Sequence, residues 1–293
     1  MNERKERANE MNEWGGGGER KDHGVTPEDL TSLTRLLLRL NAPGSARLLW
    51  HLLTTCSHMN VPAAVVHLHS HLSAQVLRGN AMAQADLVAT SKRLARIAPE
   101  HAGAAFKMGE VAEAKGELDR AENWFKKAGR GGVMEGWVKL GILRRNRGGV
   151  ESARGVFEKA VEMGSARGCY FLAQEMKEEE GEEIAGVGGK RLGLLARAGA
   201  SGVVEAAYEL GSYWREREAK FAEEWFLVAA SQGHADSILA LAQLLAEKGD
   251  IDNARIWAQK AADMSGEMGA YGTEILQELS RMEEKKQEGD QEE

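Results

Sequence analysis

Histidine is the most concentrated of the residue types that could do chemistry. His67, His69 and His71 alternate over five residues, and His51 and His58 lie nearby in the sequence. On a helix, His67 and His71 fall four apart on one face and could chelate one ion, whereas His69 points elsewhere. A structural zinc takes four ligands, and no Cys or Asp at useful spacing completes the set. No metal is expected. The stretch Gly186-Val-Gly-Gly189-Lys190 has the look of a phosphate loop. That loop needs a glycine where Ile184 stands, a Ser or Thr where Arg191 stands, and a preceding strand where an acidic run stands. A flexible insert accounts for it better. Cys56 and Cys169 are far apart and form no CxxC, which leaves zinc ribbons, redox motifs and a disulfide framework unsupported. No Ser/His/Asp, Cys/His or paired-carboxylate set can be tied to one pocket, so neither catalytic residues nor a cofactor is expected.

The elements that would position such groups are helices. Only 4 prolines and 6% aromatics, with abundant Ala, Leu, Glu, Lys and Arg, favour helix throughout the 293 residues. A small residue recurs at Gly109, Gly141, Ala173, Gly211 and Ala242, in steps of 32, 32, 38 and 31. A closing alanine recurs at Ala128, Ala160, Ala198, Ala229 and Ala261, in steps of 32, 38, 31 and 32. Two ladders in phase describe one helix-turn-helix unit repeated five times over residues 102–266. One such hairpin cannot bury its own apolar face, so it must stack on a neighbour. The extra residues of the long step belong to Glu178 to Gly189, an enlarged turn inside the third unit. Gly116, Gly148 and Gly249 mark turns within units, and Gly131, Gly164, Gly202, Gly233 and Gly266 mark passages between them, where a helix C-cap favours glycine.

Before the array, Thr26-Pro27-Glu28-Asp29 reads as a helix start with Thr at the N-cap and Pro at N1. Two divergent hairpins follow over residues 26–101. After the array, a capping helix over 267–282 carries Ile275 and Leu279 four apart on one face. Residues 1–25 and the acidic tail 283–293 lack an apolar face and are expected to be disordered.

The repeats resemble the tetratricopeptide family, and the fourth and fifth resemble its Sel1-like branch. In the second repeat, Trp137, Leu140 and Gly141 followed by Ala153, Phe157 and Ala160 match the pattern W-x2-L-G with later A-x3-F and A. Ala222 to Ala235, with Trp225, Phe226, Ala229, Ala230, Gly233 and His234, is similar to the Sel1-like joint between repeats. The resemblance covers about 165 of the 293 residues. Repeat three departs from it, with Arg191 in place of a small residue. The fold implied is an all-α, right-handed solenoid of about seven hairpins. Trp124, Trp225 and Trp257 recur at one position of the second helices, as packing residues do.

The resemblance also implies that the first helices line a concave groove, with groove roles for the residues four after each ladder position. These are Glu113, Arg145, Lys177, Arg215 and Ala246, so three consecutive repeats place a base at one position. Arg145, Asn146, Lys177 and Arg215 are therefore the candidate partner-binding residues, with Glu178 and Glu216 beside them. The implied role is that of a non-catalytic scaffold, adaptor or assembly factor holding a protein segment, acidic and either extended or helical. An organellar RNA-binding repeat protein is the alternative, but Glu113 and Ala246 interrupt the basic line it would need.

The formal charge of −7 is concentrated at the ends and leaves about −2 for the body. A nearly neutral body supplies no broad positive field for nucleic acid. No run approaches the apolar length of a membrane span. Without a signal core at the N-terminus, the expected location is the cytoplasm by default, or the mitochondrion if the true N-terminus lies upstream.

Overall fold

The computed structural model describes residues 26–40, 46–176 and 189–292. The described residues are helical without strands, and 15 helices pack as consecutive pairs. The chain divides into two compact units, Met1–Ala104 and Ala105–Glu293.

The first unit contains α1 (Pro27–Leu40), α2 (Ala46–His58), α3 (Pro62–Leu77) and α4 (Ala83–Ile97). The expected start of α1 is present. The backbone N–H of Asp29 donates to Thr26 Oγ1 at 3.2 Å, and Thr26 N–H donates back to Asp29 Oδ2 at 2.9 Å, a reciprocal cap. The Thr26 hydroxyl is the main cause holding the Asp29 carboxyl below its ordinary pKa. Leu53, Cys56, Ala64, Leu68, Leu72 and Ala83 form the core of this unit.

The division falls within α5 (Ala102–Ala114), whose residues from Ala105 onward open the second unit. It continues through α6 (Leu118–Arg130), α7 (Met134–Asn146), α8 (Val150–Glu162), α9 (Ala166–Glu175), α10 (Lys190–Ala200), α11 (Val204–Trp214), α12 (Ala219–Ser231), α13 (Ala235–Glu247) and α14 (Ile251–Ala262). The ladders have a steric origin. A Cβ built on Gly109 would lie 2.5 Å from the Phe125 ring, and Gly141 and Gly211 stand in the same relation to Phe157 and Phe226. Where the ladder carries Ala173 or Ala242, the second helix carries the smaller Leu195 or Ala258 at the phenylalanine position, and all four are buried. The small residue on one helix thus matches the bulk on the other, as close packing requires.

Turn glycines within the repeats adopt positive φ at Gly116, Gly148 and Gly249, as expected. Four of the five expected passage glycines do the same, but the first passage uses Gly132 at φ 93°, while Gly131 sits at −84°. Two adjacent glycines are alike to sequence inspection, and only the second occupies the left-handed position. The enlarged turn lies outside the described residues except for Gly189, which precedes α10 with ordinary negative φ.

Helix α15 (Glu267–Glu292) buries Ile275 and Leu279, as a cap should. It continues ten residues past Met282, where the sequence reading ends the helix. The added stretch is rich in Glu, Lys and Gln, good helix formers that need no apolar face to extend a helix already nucleated by packing.

Candidate interaction surface of the repeat array

In the second unit the first helices of the repeats are α5, α7, α9, α11 and α13, and each sends side chains toward the next repeat. Among the described residues, four ion pairs join the first-helix segments of adjacent repeats across 26 to 32 residues of sequence, too far for one helix. Lys139 on α7 reaches Glu113 on α5 at 3.0 Å. Arg145 at the end of α7 reaches Glu175 at the end of α9 at 3.5 Å. Arg167 on α9 pairs with Glu135 on α7. Arg215, just past α11, reaches Glu247 on α13 at 2.6 Å.

Two of the candidate residues therefore hold equivalent positions and equivalent jobs. The Arg145 and Arg215 side chains are 34% and 32% exposed, each anchored by a carboxylate of the following repeat. Their anchors differ: Glu175 is 6% exposed and Glu247 is 59% exposed. Asn146 is exposed beside Arg145 at the end of α7. Lys177 and Glu178 lie outside the described residues. The structure thus places Arg145 and Asn146 together and Arg215 two repeats on.

Aromatic rings lie between these charges. The Arg145 guanidinium sits 5.2 Å from the centroid of Phe171, and Arg167 approaches the same ring at 5.8 Å. Phe171 stacks on the core residue Phe157 at 5.4 Å, which fixes the platform that both cations use. Tyr170 meets Phe171 edge-on, and its hydroxyl pKa is raised, first by burial and then by the charges of Glu209 and Glu205. Tyr208 packs against His234 at 5.1 Å, and His234 Nδ1 accepts the Ser237 backbone N–H at 3.3 Å to cap α13.

Arg191, the departure in the third repeat, has a structural role that sequence did not disclose. Helix α9 spans 10 residues where α7 and α13 span 13. Arg191 Nε donates to the Ala173 carbonyl at 3.2 Å, and its guanidinium donates to Glu209 of the next repeat at 2.8 Å. A long cation at the small-residue position caps the shortened helix and bridges two repeats. Gln174 donates to the same Glu209. The signal was the lone Arg in a column of Ala121, Ala153, Ala222 and Ala254.

The other sequence candidates separate in space. His69 is 3% exposed with Nε2 3.1 Å from Ser91 Oγ, whereas His67 and His71 are exposed on α3. Among the described residues no three His, Cys, Asp or Glu side chains converge as a metal site. No described helix is long and apolar enough to cross a membrane. Trp225 packs against the core that contains Leu195 and Ala198, and Trp257 packs against the core around Ala258.

Comparisons with known proteins agree with this geometry. A family model described as tetratricopeptide repeat matches residues 235–267, the hairpin of α13 and α14. No curated protein matches the chain. Among solved structures, c5321, a protective antigen present in uropathogenic Escherichia coli strains and displaying an SLR fold, is similar at a TM-score of 0.63 and 18% identity. That match covers 88% of this chain and 57% of the other, so the chain spans little over half of that relative's length. A Sel1 repeat protein from Oxalobacter formigenes is similar at a TM-score of 0.59 and 19% identity, over 73% of this chain and 91% of the other. A chain of the APC/C hetero-tetramer Cut9-Hcn1 is similar at a TM-score of 0.51 and 12% identity, over 89% of this chain and 50% of the other. Together with the small-residue ladders and the paired helices, these similarities show that the chain has the fold of tetratricopeptide and Sel1-like helical-repeat proteins.

Proposed function

We propose that the protein is a non-catalytic scaffold that holds a segment of a partner protein along the first-helix face of its second unit. Tetratricopeptide and Sel1-like folds serve generally as protein-interaction scaffolds. The observation that carries the reading for this chain is the pair Arg145 and Arg215, partly exposed, equivalent in the repeat, and each held in place by an inter-repeat carboxylate. A guanidinium has five N–H donors, and one carboxylate engages two of them at most, so an anchored Arg keeps donors for a partner and loses little freedom on binding. The partner's chemistry is a segment with spaced carboxylates, received by Arg145, Lys177 and Arg215 with Asn146 beside the first. The aromatic platform at Phe171 and Tyr170 adds apolar contact. Glu113 and Ala246 stand at the equivalent position in the first and fifth repeats and interrupt the continuous basic track that a phosphate backbone would need, which weighs against an RNA ligand.

The test is affinity purification with an RNase-treated control, then binding of each recovered partner to the wild type and to a Lys177→Glu/Arg215→Glu variant at two salt concentrations. Slower association and a flatter salt dependence in the variant are expected. Unchanged affinity and salt slope in a folded variant would remove this line as the binding surface.

A further inference from the structure

The His67/His71 pair, spare as a metal site, lies on the rim of a pocket of about 800 Å³ between α2 and α3 of the first unit. Its apolar wall is Leu49, Trp50 and Leu53, with the Trp50 and His71 rings 5.6 Å apart. Among the described residues its titratable and charged groups are Arg47 and His51 from α2 and His67 and His71 from α3, all four exposed at the rim. Among the described residues, neither α1 nor α4 adds a charged group to the lining, and no carboxylate is part of it. In a chain of net charge −7, an apolar pocket whose described rim carries one base and three imidazoles is an asymmetry with chemical content. Its complement is an apolar group accompanied by negative charge. The volume exceeds what one side chain or a small aromatic acid fills, and suits two or three neighbouring residues of a polypeptide.

We propose that this pocket is a second docking site, for a partner polypeptide segment in which leucine or aromatic side chains are flanked by carboxylates. The apolar side chains enter against Trp50 and Leu53, while the flanking carboxylates meet Arg47 and the three imidazoles. The site shares the scaffold reading with the repeat face but none of its residues.

The experiment measures fluorescence anisotropy of the full-length protein with a labelled peptide of about eight residues carrying a central Leu-Phe pair between Asp and Glu residues. A matched peptide with Lys in the acidic positions and free indole-3-acetate are the controls. Expected is a loss of affinity of about tenfold or more for the acidic peptide in His67→Glu/His71→Glu, and retention in Arg215→Glu. Because both histidines are exposed, the double variant should keep its melting temperature, and circular dichroism checks this. Equal binding of acidic and basic peptides, unchanged affinity in the folded double variant, or indole-3-acetate binding as tightly as the peptide would each overturn the proposal. Loss of the acidic peptide in Arg215→Glu alone would place it on the repeat face and overturn it as well.

Discussion

Gly109 and Phe125 fit each other because one lacks the carbon that the other's ring would meet at 2.5 Å. Phe125 is fully buried, so its ring has no free direction in which to yield. Helix propensity alone favours Gly109→Ala by about 1 kcal/mol. Overpacking against a buried ring costs about 1–3 kcal/mol, so the variant should be less stable than wild type. Gly109→Ala combined with Phe125→Leu copies the pairing of Ala173 and Leu195 and should recover part of that loss. Urea melts of the two single variants and the double variant form the cycle that checks it, and additive effects would count against the contact.

Arg145 and Arg215 should respond differently to truncation although they are equivalent in the repeat. Removing Arg145 leaves Glu175, 6% exposed, without its ion-pair partner, and a buried polar group losing its partner costs about 1–3 kcal/mol. Removing Arg215 releases Glu247, 59% exposed, into water, at a cost of about 0–1 kcal/mol. Thermal unfolding of Arg145→Ala and Arg215→Ala reads the difference. It also makes Arg215 the cleaner position for probing partner binding without disturbing the fold.

Both cysteines are free and buried, and burial is the first cause raising each thiol pKa, with Arg197 partly opposing it at Cys169. A raised pKa leaves less thiolate at neutral pH, and the thiolate is the reacting form. Ellman's reagent should therefore modify neither residue at an appreciable rate until the chain unfolds. Rapid labelling of two thiols in the native protein would contradict the packing of α2 and α9.

Chelation should leave the melt unchanged. His69 is committed to the core beside Ser91, and among the described residues no carboxylate lines the pocket that His67 and His71 border. A fall in melting temperature on adding EDTA would show a metal contribution to the first unit.

Much of the fold was legible because steric matching writes itself into composition. Gly109, Gly141 and Gly211 are glycine since a phenylalanine faces them, and a fixed step carries that constraint from repeat to repeat. The choice between Gly131 and Gly132 was not legible, since both types tolerate the turn and only the backbone path decides. The ion pairs were hidden for another reason. Arg215 and Glu247 are 32 residues apart, and sequence shows both charges without saying that neighbouring repeats bring them to 2.6 Å. Arg191 looked like a blemish in a column of alanines because its use depends on where α9 stops. The pocket at Trp50 was half visible, as histidines read for metal, while their shared rim with Arg47 became meaningful only once α2 and α3 were side by side.

The inter-repeat ion pairs also bear on how the array comes apart. In a solenoid, unfolding is concerted only while each unit is coupled to its neighbour more strongly than it is unstable alone. Within a repeat the coupling is steric, through rings such as Phe157 and Phe226, and indifferent to ionic strength. Between repeats, part of it runs through Glu113–Lys139, Glu135–Arg167, Glu175–Arg145 and Glu247–Arg215, all on one face with at least one member of each pair reached by solvent. Dissolved ions weaken such pairs while leaving the hairpins intact. Salt would then act on cooperativity more than on midpoint, loosening the seams so that the second unit yields hairpin by hairpin where it had yielded as one.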